Sequence, residues 1–128
     1  MKEPVWVFRE VVFILHEQSL AQFGGSAGVR DEGLLDSALG RPQHRFAYGK
    51  PTLFDLAASY AFGLVKHHPF VDGNKRTGFI VAVTFLELNG LRFGASEVDA
   101  TVRTLALAAG EMSETAYSAW LKANSKRA

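Results

Sequence analysis

Apolar residues recur along the chain with a helical period, and Gly, Pro and capping residues mark the breaks between periodic stretches. Phe8, Val12, Leu15 and Ser19 share one stripe, with Val11 and Ile14 beside it, and Gly24-Gly25 supplies a stop, which predicts a first helix from Phe8. Asp31 is placed to cap a second helix through about Leu39, closed by Gly40 and Pro42. Gln43 to Pro51 has no clean period and reads as an extended or hairpin-like segment. Thr52-Leu53-Phe54-Asp55 has the form of a capping box and opens a third helix to about Lys66. That helix is apolar nearly all round and belongs in the middle of the fold. A fourth helix is predicted from near Asn74 to Leu88, ended by Asn89-Gly90, a fifth from Ser96 to about Ala109, and a sixth from Ser113 to about Lys122. The one strand signal, Val5-Trp6-Val7, is a candidate partner for Leu91-Arg92-Phe93. The pattern is that of a single all-α domain over residues 1–128, with about six helices joined by short turns.

Composition narrows the chemistry. A chain of 128 residues that is 48% hydrophobic can build one core without metal or disulfide staples. The absence of cysteine excludes a disulfide framework, a thiolate nucleophile and a zinc-thiolate site, and is consistent with the cytoplasm. With 14 basic and 13 acidic residues the net charge is +1, so no broad attraction to nucleic acid or anionic lipid is expected. The one basic cluster, Lys122 with Lys126 and Arg127, reads as a solvated, frayed C-terminus. Glu3-Pro4 and Arg9-Glu10 interrupt any signal-peptide pattern, and the apolar run after Arg76 falls short of the roughly 20 residues a membrane span requires. His16-Glu17 begins a metalloprotease motif, but Leu20 stands where the second histidine is needed, so His16 reads as a packed or surface helix residue. His67 and His68 are adjacent and cannot both face one metal from a helix.

The distinctive chemistry lies between the third and fourth helices, in His68-Pro69-Phe70-Val71-Asp72-Gly73-Asn74-Lys75-Arg76. Lys75 and Arg76 sit where the positive end of a helix dipole repels them, by roughly 0.3–1 kcal/mol each. A bound anion reverses that penalty. Backbone N–H groups at a helix start, preceded by a glycine free to adopt positive φ, form a cradle for phosphate, and two cations add charge-assisted hydrogen bonds. Gly73, Asn74, Lys75 and Arg76 are therefore the candidate phosphate-binding residues, and His68, of the residue type that titrates nearest neutral pH, is the candidate general base at their rim. Asp72 is the candidate metal ligand, since hard cations prefer carboxylate oxygen; its alternative role is to orient the loop. Phe70 reads as the apolar anchor that pins the loop.

This nine-residue stretch resembles the core motif of the Fic/Doc family, H-P-F-x-[D/E]-G-N-[G/K]-R, in the form with Lys typical of its death-on-curing (Doc) branch. The similarity extends through Phe23-Gly24-Gly25, Gly28 to Leu39, Arg41-Pro42 and Tyr48, and downstream to Phe85-Leu86 and Asn89-Gly90. The resemblance implies the Fic fold, with the motif loop between two central helices and a flap within Gln43 to Pro51 bordering the site. It also implies ATP and Mg²⁺ as cofactors and a Phd-like antitoxin as partner. Fic relatives usually transfer AMP to a protein hydroxyl; Doc-like members pass the γ-phosphate of ATP to translation elongation factor Tu. Lys75 in place of a second glycine, and Phe79 where a further arginine usually stands, favour the kinase. The expected function is that of the toxin of a bacterial toxin–antitoxin pair. AMP transfer and a catalytically silent partner-binding module are the alternatives.

Overall fold

The computed structural model describes residues 1–128. Its elements run α1 (Arg9–Phe23), α2 (Glu32–Tyr48), α3 (Leu53–His67), α4 (Asn74–Leu88), β1 (Leu91–Phe93), α5 (Glu97–Ala109), α6 (Glu114–Ala123) and β2 (Ser125–Arg127). The all-α expectation holds, with one two-stranded antiparallel sheet added. No helix is long and apolar enough to cross a membrane.

The apolar surface of α3 on both sides is explained by its position: it packs on α2, α4, α5 and α6, and Leu56, Ala57, Ala58, Tyr60, Ala61, Leu64 and Val65 are fully buried. Its neighbours approach closely because small residues face one another. A Cβ on Gly63 would stand 3.1 Å from the Ala38 Cα of α2, and one on Gly78 of α4 would stand 2.9 Å from Val65 Cγ1. Either addition forces the helices apart in an interior that has no slack. The spacing matters because the candidate motif bridges α3 and α4. At the middle of α3 the Tyr60 hydroxyl accepts from the Val7 N–H at 3.1 Å, and burial pushes its pKa up to about 12.

Four sequence expectations are corrected. First, α2 does not stop at Leu39 but continues through Gly40 and the buried Pro42 to Tyr48, so Gln43–Tyr48 is helical rather than extended. An internal proline costs about 3 kcal/mol, and here tertiary contacts outweigh it. Arg41 and Arg45, one helical turn apart, both bind Glu114 of α6, at 2.7 and 2.8 Å, and the Arg41 guanidinium lies 4.5 Å from the Phe62 ring centroid. Second, Val5–Val7 forms no strand. The Asn89 carboxamide takes its place, accepting from Val5 N–H at 2.8 Å and donating to Val5 C=O at 2.9 Å, while β1 pairs with β2 in the register Leu91 to Arg127. Third, and as part of the same pairing, the basic C-terminus is not frayed: Lys126 and Arg127 belong to β2, and the Ala128 N–H donates to Gly90 C=O at 3.0 Å. Fourth, the buried stripe of α1 is Val12, His16 and Ser19, whereas Phe8 and Ile14 are exposed. The face is partly polar because it packs on the motif loop.

Candidate active site

The capping box of α3 forms as read, with Thr52 and Asp55 exchanging hydrogen bonds, and the helix ends at His67. His68 follows with φ 49° and ψ 55°, making it the one residue other than glycine in the left-handed region. For a residue with a Cβ this conformation costs about 1–2 kcal/mol. Arg30, in the loop between α1 and α2, donates from Nε to His68 C=O at 2.7 Å and from Nη2 to His67 C=O at 2.8 Å.

The same loop pairs with the motif through backbone bonds. Val29 and Phe70 form an antiparallel bridge, Val71 N–H donates to Gly28 C=O at 3.0 Å, and the Arg30 and Asp31 N–H groups both donate to Pro69 C=O. Phe70 is the anchor the sequence suggested, 1% exposed. Its ring stacks on the His16 imidazole, with centroids 3.8 Å apart and planes 12° from parallel. His16, buried in α1, donates from Nε2 to Asp72 C=O at 2.8 Å. The metalloprotease fragment is thus a loop support. Asn74, the first residue of α4, turns its carboxamide inward, accepting from Phe70 N–H at 2.9 Å and donating to Phe70 C=O at 3.0 Å. That commits its side chain to the loop, while its backbone N–H has no partner in the protein.

Asp72 is exposed, with Oδ1 accepting from Gly73 N–H at 2.8 Å and Oδ2 accepting from Ser26 N–H at 3.3 Å. Gly25 is favoured beside it, because a Cβ there would stand 2.9 Å from Asp72 Oδ2 and its φ of 123° strains any residue with a side chain. Gly73 takes φ 77° as the N-cap of α4, the conformation expected of it. No side chain caps this helix, no acid lies in its first turn, and the N–H groups of Asn74, Lys75 and Arg76 have no partner in the protein. Arg76 lies over the Phe23 ring with its Cζ 4.1 Å from the centroid. Lys75 is exposed and, with His68, lines a groove of about 610 Å³ whose far wall is Val102, Leu105 and Ala109 of α5. A slightly larger groove, about 670 Å³ between Met1, Phe54 and Leu91, contains no residue of the motif and no catalytic side chain.

Unpaired N–H groups and two cations at the positive end of a helix fit a polyanion, and this donor set fits phosphate. One exposed carboxylate also fits Mg²⁺, which takes one or two carboxylates and completes its shell with phosphate oxygens and water. Candidate residues His68, Asp72, Gly73, Lys75 and Arg76 therefore meet at one loop, and Phe70 and Asn74 build it from within. Phe79 points elsewhere, packing against Phe93 and Trp120 at centroid distances of 5.7 and 6.4 Å.

A family model described as the Fic/DOC family matches residues 6–86. The chain belongs to the Fic/DOC family. Among its curated relatives, Protein kinase doc of Escherichia phage P1 is 36% identical over 105 residues, covering 81% of this chain and 82% of that protein. Toxin Doc of Mycolicibacterium smegmatis is 49% identical over 76 residues, covering 57% of this chain and 58% of that protein. The sequence reading of this Fic/DOC chain missed the supports rather than the motif. Ser26 and Arg30 had no role assigned, although Arg30 lay within a stretch already singled out, and His16 was read only as a packed or surface helix residue; their bonds all involve backbone groups that leave no compositional trace.

Proposed function

We propose that this chain is a Doc-type toxin that transfers the γ-phosphate of ATP to a hydroxyl of a target protein, by resemblance translation elongation factor Tu, with a Phd-like antitoxin as its partner. The observation that carries this reading is the shared groove of Lys75 and His68. A cation whose side chain lies on the same side as the base favours a triphosphate bound with its terminal phosphate toward that base.

The backbone N–H groups of Asn74, Lys75 and Arg76 bind phosphate oxygens, and the Lys75 and Arg76 cations neutralise them. Asp72 would hold Mg²⁺, which would supply positive charge to offset that of the phosphates. His68 takes the proton of the target hydroxyl as its oxygen bonds to the γ-phosphorus; the bond to the β-phosphate oxygen breaks and ADP leaves. The loop supports keep these groups in line, since transfer requires reacting atoms about 3–3.5 Å apart.

The test is to incubate the protein with purified elongation factor Tu and ATP labelled at either the α- or the γ-phosphate. Label from the γ-position alone is expected, and Lys75→Gly should lower its transfer sharply. Transfer of the α-label assigns AMP transfer instead. A Lys75→Gly protein that phosphorylates as well as wild type removes the basis for reading this residue as the determinant.

A further inference from the structure

The helix caps at Gly24, Asn89, Gly110 and Asn124 each return a backbone N–H to the last turn of their helix. The cap of α3 at His68 makes no such bond. Its terminal carbonyls are satisfied from outside, by the planar fork of Arg30 on His67 and His68. The two accepting carbonyls flank the Cα of His68, the one residue other than glycine with positive φ. A guanidinium is suited to this task because its donors are fixed in one plane and because a cation at a helix C-terminus is electrostatically favoured. Its backbone is fixed as well, since Arg30 N–H and the adjacent Asp31 N–H both hold Pro69 C=O.

We propose that Arg30 is a positioning residue for the base: its fork clamps the His67 and His68 carbonyls and so holds His68 in the left-handed conformation that sets its imidazole at the edge of the phosphate cradle. The inference rests on the reading of His68 as general base. Arg30 touches no substrate in this scheme. Its contribution is to the rate of transfer, not to nucleotide binding, because its bonds go to the His67, His68 and Pro69 carbonyls and none goes to the N–H groups or cations of the cradle.

The experiment measures steady-state transfer of labelled phosphate from ATP to purified elongation factor Tu by Arg30→Met, Arg30→Lys, His68→Ala and the double variant Arg30→Met/His68→Ala. Circular dichroism and thermal melting report folding. With a misplacement of about 1 Å costing about 100-fold in rate, kcat of Arg30→Met should fall between about 10- and 100-fold while KM for ATP changes less than about threefold. Free guanidinium ion at low millimolar concentration should restore part of the loss. In the double variant, removing Arg30 should lower the residual rate no further than His68→Ala does alone. A folded Arg30→Met protein with wild-type kcat, one with raised KM and unchanged kcat, or additive losses in the double variant each overturn the proposal. If Arg30→Met does not fold, Arg30→Lys decides: it keeps the charge without the fork, so lowered kcat supports the clamp and unchanged kcat overturns it. The function reading fails separately, when His68→Ala itself transfers at the wild-type rate.

Discussion

Two polar clusters lie toward opposite ends of α3, and they are built to opposite rules. At one, Glu114 of α6 accepts from Arg41 at both carboxylate oxygens and from Arg45, Arg41 also donates to Ser59, and Ser118 closes on Asp55. Each charge there meets its opposite. At the other, the N-terminus of α4 presents unpaired N–H groups and adds two cations to a positive helix end, beside a histidine in a strained conformation. The first cluster closes on itself, whereas the second leaves its donors and cations open, as the proposed phosphate site requires. The contrast separates self-paired from open polarity where residue types alone do not, because both clusters contain arginine and carboxylate groups.

The sharpest way to test that contrast is to change one residue on each side. His68→Ala should lower transfer by about 10² to 10⁴ with no loss of thermal stability, the range expected for a general base; single-turnover rates and calorimetric melting check the two halves. Glu114→Gln should do the reverse. It leaves two guanidiniums without their carboxylate, and because both still reach solvent the cost should be about 2 kcal/mol in urea unfolding, with transfer per folded molecule unchanged. A smaller effect is expected from Ser118→Ala, which removes one hydrogen bond to Asp55 and should cost about 1 kcal/mol. Burial raises the Asp55 pKa, but bonds from Thr52 and Ser118 and the Arg45 charge more than offset it, so the folded value is lowered. A lowered carboxylate pKa contributes stability that is present above its ordinary value near 3.8 and is lost as pH falls through the folded value. The Ser118→Ala penalty should therefore be full at pH 7 and shrink in acid below about pH 4, as read from unfolding at both pH values.

The chemistry of the site was readable because it is local: His68, Asp72, Gly73 and the two cations lie within one turn, and α4 starts and ends at Asn74 and Leu88, as the apolar run and Asn89-Gly90 suggest. What was not readable depends on distant partners. Gly40 and Pro42 are ordinary stop signals, and the glutamate whose contacts carry α2 through them lies more than 60 residues downstream. Ser125-Lys126-Arg127 has no apolar alternation at all, so its pairing with β1 follows from backbone bonds alone. His16 was noticed for a motif it does not complete, and its actual partners, the Phe70 ring and the Asp72 carbonyl, belong to another segment.

The bridge between Val29 and Phe70 carries one more consequence. Every residue of the motif lies within a continuous stretch that also contains α3 and α4, yet the shape of that loop is written by residues some forty positions earlier in the chain. Synthesising or excising residues 53–88 would reproduce all the reactive groups but remove the bonds with Gly28, Arg30 and His16 that shape their loop. Competence should therefore require that the two remote loops meet, and local opening at that seam is expected to undo the loop's arrangement while the helices persist.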